Sequence, residues 1–260
     1  MFKTDLGAAM KRDWDERARK DAFHYVATWR RDWTLEDFQE SGEQEYLKLV
    51  QPVLNQFQFD AKGASMLEVG CGAGRMTGSF ARRFGAVHAL DISAEMQNLA
   101  KQSLAMFQNI HWVLGDGTNL AVIPSNSVDF VFSYLVLQHL PTEELALNYL
   151  REMLRILNGR GVFLFQFNGR ELPTMNWKGR LAWGTVDLLW SLNFKEVSQT
   201  AARWMGFDPT VVGKSWRGVA LPADGVAQII QAAGATAVQI TGGDTPLAWC
   251  CGRKEVQTRR

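Results

Sequence analysis

The chain has 260 residues, 47% of them hydrophobic and 21% charged, with 23 Gly and 7 Pro. That composition is globular, is long enough to bury a core without disulfide or metal staples, and excludes disordered and collagen-like classes. Twenty-eight basic residues against 27 acidic give a net charge of +1, so no whole-chain field draws in nucleic acid or an anionic membrane.

In chain order, residues 8–33 mix Trp14, Phe23, Tyr25, Trp29 and Trp33 with charges and predict one or two amphipathic helices. Residues 42–57 repeat apolar side chains at helical spacing and predict another. From residue 65 the texture becomes a strand–helix alternation. Strands are expected at 65–69, 86–90, 110–114, 128–133 and 161–167. Between them, helices are expected at 76–84, from the N-cap Ser93 to about 106, and from Thr142 to 157, where Asn158-Gly159 ends the last. Alternation of this kind is what a parallel sheet with crossover helices requires.

Residues 169–221 break the rhythm. They carry Trp177, Trp183, Trp190, Trp204 and Trp216, five of the ten tryptophans, and predict a helical cap insertion. A helix at 223–233 and two strands at 237–241 and 247–251 close the chain. The turn between those strands is too short for a crossover, so they pair antiparallel. The expected fold class is α/β: a doubly wound, mostly parallel seven-stranded sheet with an antiparallel terminal strand. It forms one domain over residues 1–260, with amino-terminal helices (1–60), a core (65–168), the cap (169–221) and a closing helix and hairpin (222–254).

The sharpest motif is LEVGCGAGR at 67–75. A strand ends in a glycine turn whose backbone can pass close to a ligand, where a Cβ would clash. Such a turn serves dinucleotide, nucleotide and sulfonium cofactors alike. Arg75 stands where a dinucleotide fingerprint has its third glycine. Glu68, two positions before the first glycine, would repel a pyrophosphate and suits a cationic amino group. Asp91 ends the second strand, where a carboxylate can accept from two ribose hydroxyls.

The ordered set LEVGCGAG, HALDIS, GDGTNL, VDFVFSYLVLQHL and LREMLRILNGRGVFLF resembles the class I S-adenosylmethionine (SAM) methyltransferases over residues 65–168. The resemblance implies SAM as cofactor and S-adenosylhomocysteine as product. It implies that Gly70 and Gly72, with Cys71 and Arg75 in the same turn, lie along the methionine part, with Glu68 nearby. Asp91 would hold the ribose, with Ile92 and Met96 against the adenine. Asp116 would accept from the adenine amino group, Gly117 would supply a backbone donor, and Ser133 would lie below the methionine amino group. Each has a plainer alternative: Asp91 as a helix cap, Asp116 as a turn residue, Met96 as core.

For the acceptor side, His139, just beyond the fourth strand, is the candidate general base, or else a loop histidine shaping the next helix. Tyr134 is the second candidate. Trp183 and Trp190, on one face of a cap helix, are candidate walls of a substrate pocket. His24, His88 and His111 read as structural or surface, and no His/Cys/Asp/Glu grouping has metal spacing. No basic stripe or appended module points to nucleic acid, and no stretch is long and apolar enough to reach across a membrane. The expected partner is a small-molecule acceptor.

Three cysteines, Cys71, Cys250 and Cys251, cannot pair completely, and the amino terminus lacks an apolar signal region, so the expected compartment is the cytoplasm. Two rivals stand beside the enzyme reading. One is a non-catalytic SAM-binding protein or partner subunit. The other is a nicotinamide-dependent oxidoreductase, disfavoured by Arg75, Glu68 and the terminal hairpin.

Overall fold

The computed structural model describes residues 3–170, 181–182, 184–186, 188–189, 194–205 and 218–255. Seven strands form its sheet: β1 (Ser65–Val69), β2 (Ala86–Asp91), β3 (Ile110–Leu114), β4 (Val128–Ser133), β5 (Leu157–Phe167), β6 (Ala235–Thr241) and β7 (Ala248–Lys254). Their order is β3-β2-β1-β4-β5-β7-β6. β7 runs antiparallel to both β5 and β6, and the other pairings are parallel. The expected hairpin is present, but its second strand slots inside the sheet and leaves β6 at the edge.

Chain direction across the sheet reverses between β1 and β4, and a crevice opens at such a switch point beyond the carboxyl ends of the strands. Register fixes what borders it. Val69 of β1 lies beside Leu90 on one side and Ser133 on the other. Gly70, Asp91 and Tyr134 therefore leave the sheet at one level.

Alternating side chains fill both faces. Leu67, Val131, Phe163 and Phe165 pack one core with α6 (Glu143–Ile156) and α8 (Ala223–Ala232). Met66, Phe130, Phe132 and Leu164 pack the other with Phe80 of α4 (Thr77–Ala81) and with α3 (Gln51–Gln56). Each fully buried aromatic or aliphatic side chain is worth about 1.5–3 kcal/mol of transfer free energy.

The helix expected at 42–57 begins earlier. Thr34 caps α2 (Leu35–Glu45) by accepting from the Asp37 N–H at 3.1 Å. The helix continues through one wide π turn, Tyr46–Val50, into α3. Gly42 falls mid-helix because α2 must approach the Arg75 carbonyl: a Cβ there would lie 1.8 Å from that oxygen. Asn158-Gly159 does not follow α6 as a separate stop. The chain enters β5 directly at Leu157, and the irregularity falls inside the strand, with Arg160 at φ 72°.

The amino-terminal helix α1 (Lys3–Val26) breaks at Asp21, which is extended and whose carboxylate accepts from the His24 N–H at 3.1 Å. α1 packs on α5 (Ala94–Ser103) and on α2 through Ala18, Ala22, Phe38 and Met96. Within 169–221, the structure describes α7 (Lys195–Trp204), and the Leu221 N–H donates to the Asn168 carbonyl at 2.7 Å, drawing the two ends of the insertion together. No described helix is long and apolar enough to cross a membrane. All three cysteines are buried free thiols, and burial raises the pKa of each. His88 and His111 are register partners on β2 and β3, with rings stacked 5.2 Å apart.

Candidate active site

The glycine turn is held from below by β2. The Gly70 and Cys71 N–H groups both donate to the Leu90 carbonyl, at 2.7 and 2.9 Å. Gly70 has φ +79°, and a Cβ on it would stand 2.1 Å from Val136 Cγ2. Only glycine lets the turn press against the segment that follows β4.

Asp91 is 9% exposed. Its Oδ2 accepts from the Gly72 N–H and its Oδ1 from the Ser93 N–H, both at 2.8 Å. Burial raises its pKa, and the N–H groups of Ser93, Gly72 and Ile92 pull it back toward the ionised form. The carboxylate so held keeps further acceptor capacity toward the cavity it lines.

That cavity measures about 340 Å³ and sits over the switch point, within the ordinary range for small-molecule sites. Ile92, Met96 and Gly117 line its β2–β3 end. Gly117 has φ +77°, and a Cβ there would come within 2.3 Å of Ile92 Cδ1. Met96 serves both as wall and as core between α5 and α1.

Glu68 lies at the floor, 4% exposed, with its Oε2 accepting from the Thr77 hydroxyl at 2.6 Å. Burial pushes its pKa up to about 7, against the lowering effect of Thr77 and Arg75. Arg75 is equally buried, its guanidinium 5.1 Å from the Trp29 ring and 5.4 Å from the Tyr134 ring. Burial lowers its pKa and the Tyr134 hydroxyl and Glu45 oppose that. Cys71 completes this end of the wall.

Two expected residues fall elsewhere. Asp116 is exposed and off the wall; its Oδ1 accepts from the Thr118 and Asn119 N–H groups at 2.7 and 3.2 Å, so its carboxylate shapes the turn after β3. Ser133 also lies outside the lining, buried, with an Oγ that has no hydrogen-bond partner among the described residues. Strand alternation accounts for it, since Phe132 and Tyr134 take the two positions that reach the cavity. Trp183 and Trp190 lie outside the described residues.

His139 and Tyr134 both border the cavity. His139 meets the Trp14 ring edge-on at 5.4 Å, and its Nε2 lies 3.3 Å from Gln138 Nε2. Tyr134 packs on Trp249 at 5.0 Å, and burial raises its pKa.

The roof comes from the amino-terminal segment: Met10, Trp14, Tyr25, Val26 and Thr28 line the cavity. The clustering of aromatics in 14–33 signals a cap in general terms, but not which side chains face inward. Gln166 gives a clearer missed signal. It is one amide in the run GVFLFQF, it is fully buried, and its Oε1 accepts from the N–H of Leu135, a cavity residue held at φ +59°.

Residues 67–165 match the family model described as a methyltransferase domain. Demethylmenaquinone methyltransferase of Staphylococcus epidermidis is 35% identical over 104 residues, which is 39% of this chain and 42% of that protein. Biotin biosynthesis bifunctional protein BioHC of Cellvibrio japonicus is 44% identical over 73 residues, 28% of this chain and 14% of that protein. The chain thus spans less than half the length of these curated relatives. The fold is similar to the DhpI–SAH complex (TM-score 0.57, 16% identity, 97% of this chain and 98% of that one). It is also similar to the N-methyltransferase NodS of Bradyrhizobium japonicum WM9 in complex with S-adenosylhomocysteine (TM-score 0.55, 17% identity, 93% and 98%).

Proposed function

We propose that the chain is a SAM-dependent methyltransferase acting on a small-molecule acceptor. The observation that carries this is the cavity itself. A buried acid with a pKa near 7, Glu68, and a buried, N–H-held carboxylate, Asp91, line one chamber of about 340 Å³ within the methyltransferase domain. The donor set fits the cofactor. Asp91 suits ribose hydroxyls, Ile92, Met96 and the backbone at Gly117 suit an adenine, and Glu68 suits an ammonium beside the turn Gly70-Cys71-Gly72. A Cβ on Gly72, at φ +53°, would come within 2.8 Å of Val26 and narrow the cradle. Solved structures of the same fold hold S-adenosylhomocysteine. Arg75 belongs with this group as the fixed positive charge at the methionine end. Asp116 and Ser133 contribute through the turn and the strand that position Gly117 and Tyr134.

When bound, SAM supplies an electrophilic methyl group. The chain's own residues then have to orient an acceptor atom about 3 Å from it and exclude water, and such alignment supplies ~7–11 kcal/mol of the barrier reduction. Trp14, Tyr25 and Val26 form the water-excluding roof, and Tyr134 and His139 form the wall on the side where the acceptor enters. The roof and wall are largely apolar and aromatic, which favours a partly apolar metabolite over a polymer.

The test is release of S-adenosylhomocysteine, followed by mass spectrometry, with SAM and a panel of small hydroxyl, amine and thiol acceptors. Turnover that Trp14→Ala reduces at least tenfold, with folding retained, supports the reading. SAM binding without turnover of any acceptor would favour a non-catalytic SAM-binding protein.

A further inference from the structure

We infer that Gln166 is a positioning residue for the cofactor cradle: it holds Leu135 in a left-handed turn and, through that turn, seats Val136 against Gly70. The inference rests on the proposed function in taking S-adenosylhomocysteine as the probe of the cradle; the hydrogen bonds and backbone geometry stand without it.

Gln166 is wholly buried in the run GVFLFQF, with apolar neighbours on either side along β5. A buried amide costs stability unless its groups are bonded, and here each one is. Oε1 accepts from the Leu135 N–H at 3.1 Å, while Nε2 donates to Gln138 Oε1 at 3.0 Å and to the Pro246 carbonyl at 2.9 Å. A backbone N–H only donates and a carbonyl only accepts, so the amide has one orientation. Its partners belong to two segments at the carboxyl edge of β4 and β5: residues 135–138 follow β4, and Pro246 precedes β7.

Leu135 is the residue that needs holding. Its φ is +59°, a region that glycine adopts freely and that costs a residue bearing a Cβ. An asparagine can support such a turn with its own side chain, and a leucine cannot. The bond from Gln166 supplies that support from the strand below. From Leu135 the chain turns back over the sheet edge, and Val136 arrives so close to the glycine turn that a Cβ on Gly70 would lie 2.1 Å from Val136 Cγ2. Leu135, Val136 and Gly70 all line the cavity, and Gln166 is not among the lining residues. Its influence on a ligand therefore passes through Leu135 and Val136 to the cradle.

The experiment is a double-mutant cycle, read by calorimetric titration of S-adenosylhomocysteine into ligand-free, full-length protein. Gln166→Met keeps the length of the side chain and removes the three bonds. With the left-handed leucine unsupported, affinity should fall by about tenfold. In a Leu135→Gly background the same Gln166→Met change should cost less than about threefold, because glycine keeps the turn without support. A residue that only stabilises the fold would cost the same in both backgrounds. Equal cost in the two backgrounds, or undiminished affinity in Gln166→Met, would overturn the inference. A second measurement needs neither variant nor ligand, and keeps the test available if Gln166→Met fails to fold. In the unmodified protein the Leu135 amide should exchange with solvent as slowly as the amides of β4; exchange at the rate of an open loop would show that the Gln166 bond is not made, and would equally overturn the inference. Absence of S-adenosylhomocysteine binding to the unmodified protein would count against the proposed function, and the Leu135 amide would then decide the positioning role by itself.

Discussion

Asp15 in α1 and Ser93 at the head of α5 share a hydrogen bond of 2.7 Å, with the serine hydroxyl donating to Asp15 Oδ1. The same serine oxygen caps α5 by accepting from the Met96 N–H, and the Ser93 backbone N–H donates to Asp91. One residue thus links the roof helix, the cap of α5 and the carboxylate proposed to hold the ribose. Burial raises the pKa of Asp15, but hydrogen bonds from Lys11 and Ser93 outweigh it and leave the group below its usual value.

Asp15→Ala should detach the roof more than the sheet. The lost charge-assisted bonds are worth about 1–3 kcal/mol, so amides of α1 should exchange with solvent faster while those of β1 and β4 stay protected. The sign with pH follows from the lowered pKa: the contribution is present above about pH 4 and fades as pH falls through the folded-state value. Uniform loss of protection across sheet and roof would show that α1 is not a separately opening unit.

Glu68 gives the opposite sign. Its folded pKa of about 7 lies above the ordinary value of 4.5, so between these limits the native protein keeps a proton that the unfolded chain has released. Ligand-free stability should therefore fall as pH rises across that window. Denaturant midpoints from about pH 5 to about pH 8 should show the slope, and Glu68→Gln should flatten it. Affinity for a cationic amino group should run the other way, rising with pH as Glu68 ionises. A Glu68→Gln variant with an unchanged stability slope would remove Glu68 as its source.

Gly42→Ala tests the packing behind the glycine turn. The added methyl cannot coexist with the Arg75 carbonyl at 1.8 Å, so α2 must shift outward. Overpacking of this kind costs about 1–3 kcal/mol, read as a lower urea midpoint. Because the displaced backbone belongs to Arg75, cofactor affinity should fall in the same variant. Unchanged stability would mean that α2 is less tightly seated than the backbone distance requires.

Much of this was legible in the sequence, and for identifiable reasons. Strand–helix alternation, the Ser93 cap and the glycines at 70, 72 and 117 each follow from local chemistry that tertiary packing did not override. The insertion of β7 between β5 and β6 was not legible, because a short turn fixes antiparallel pairing but says nothing of which strand takes the edge. Asp116 and Ser133 show a second limit. Sequence position places both near the site, whereas in the structure the Asp116 carboxylate shapes the turn beside Gly117 and Ser133 lies off the cavity wall. Gln166 and the inward-facing Trp14 depend on contacts between segments far apart in the chain, which no local pattern encodes.

The central claim is that this cavity holds SAM through Asp91, and the most direct measurement is calorimetric titration of SAM into ligand-free protein beside Asp91→Ala. The account predicts one-to-one binding in the micromolar range, weakened at least tenfold in the variant, with the variant's circular dichroism unchanged. No heat of binding from folded, nucleoside-free protein, or equal affinity in Asp91→Ala, would contradict it.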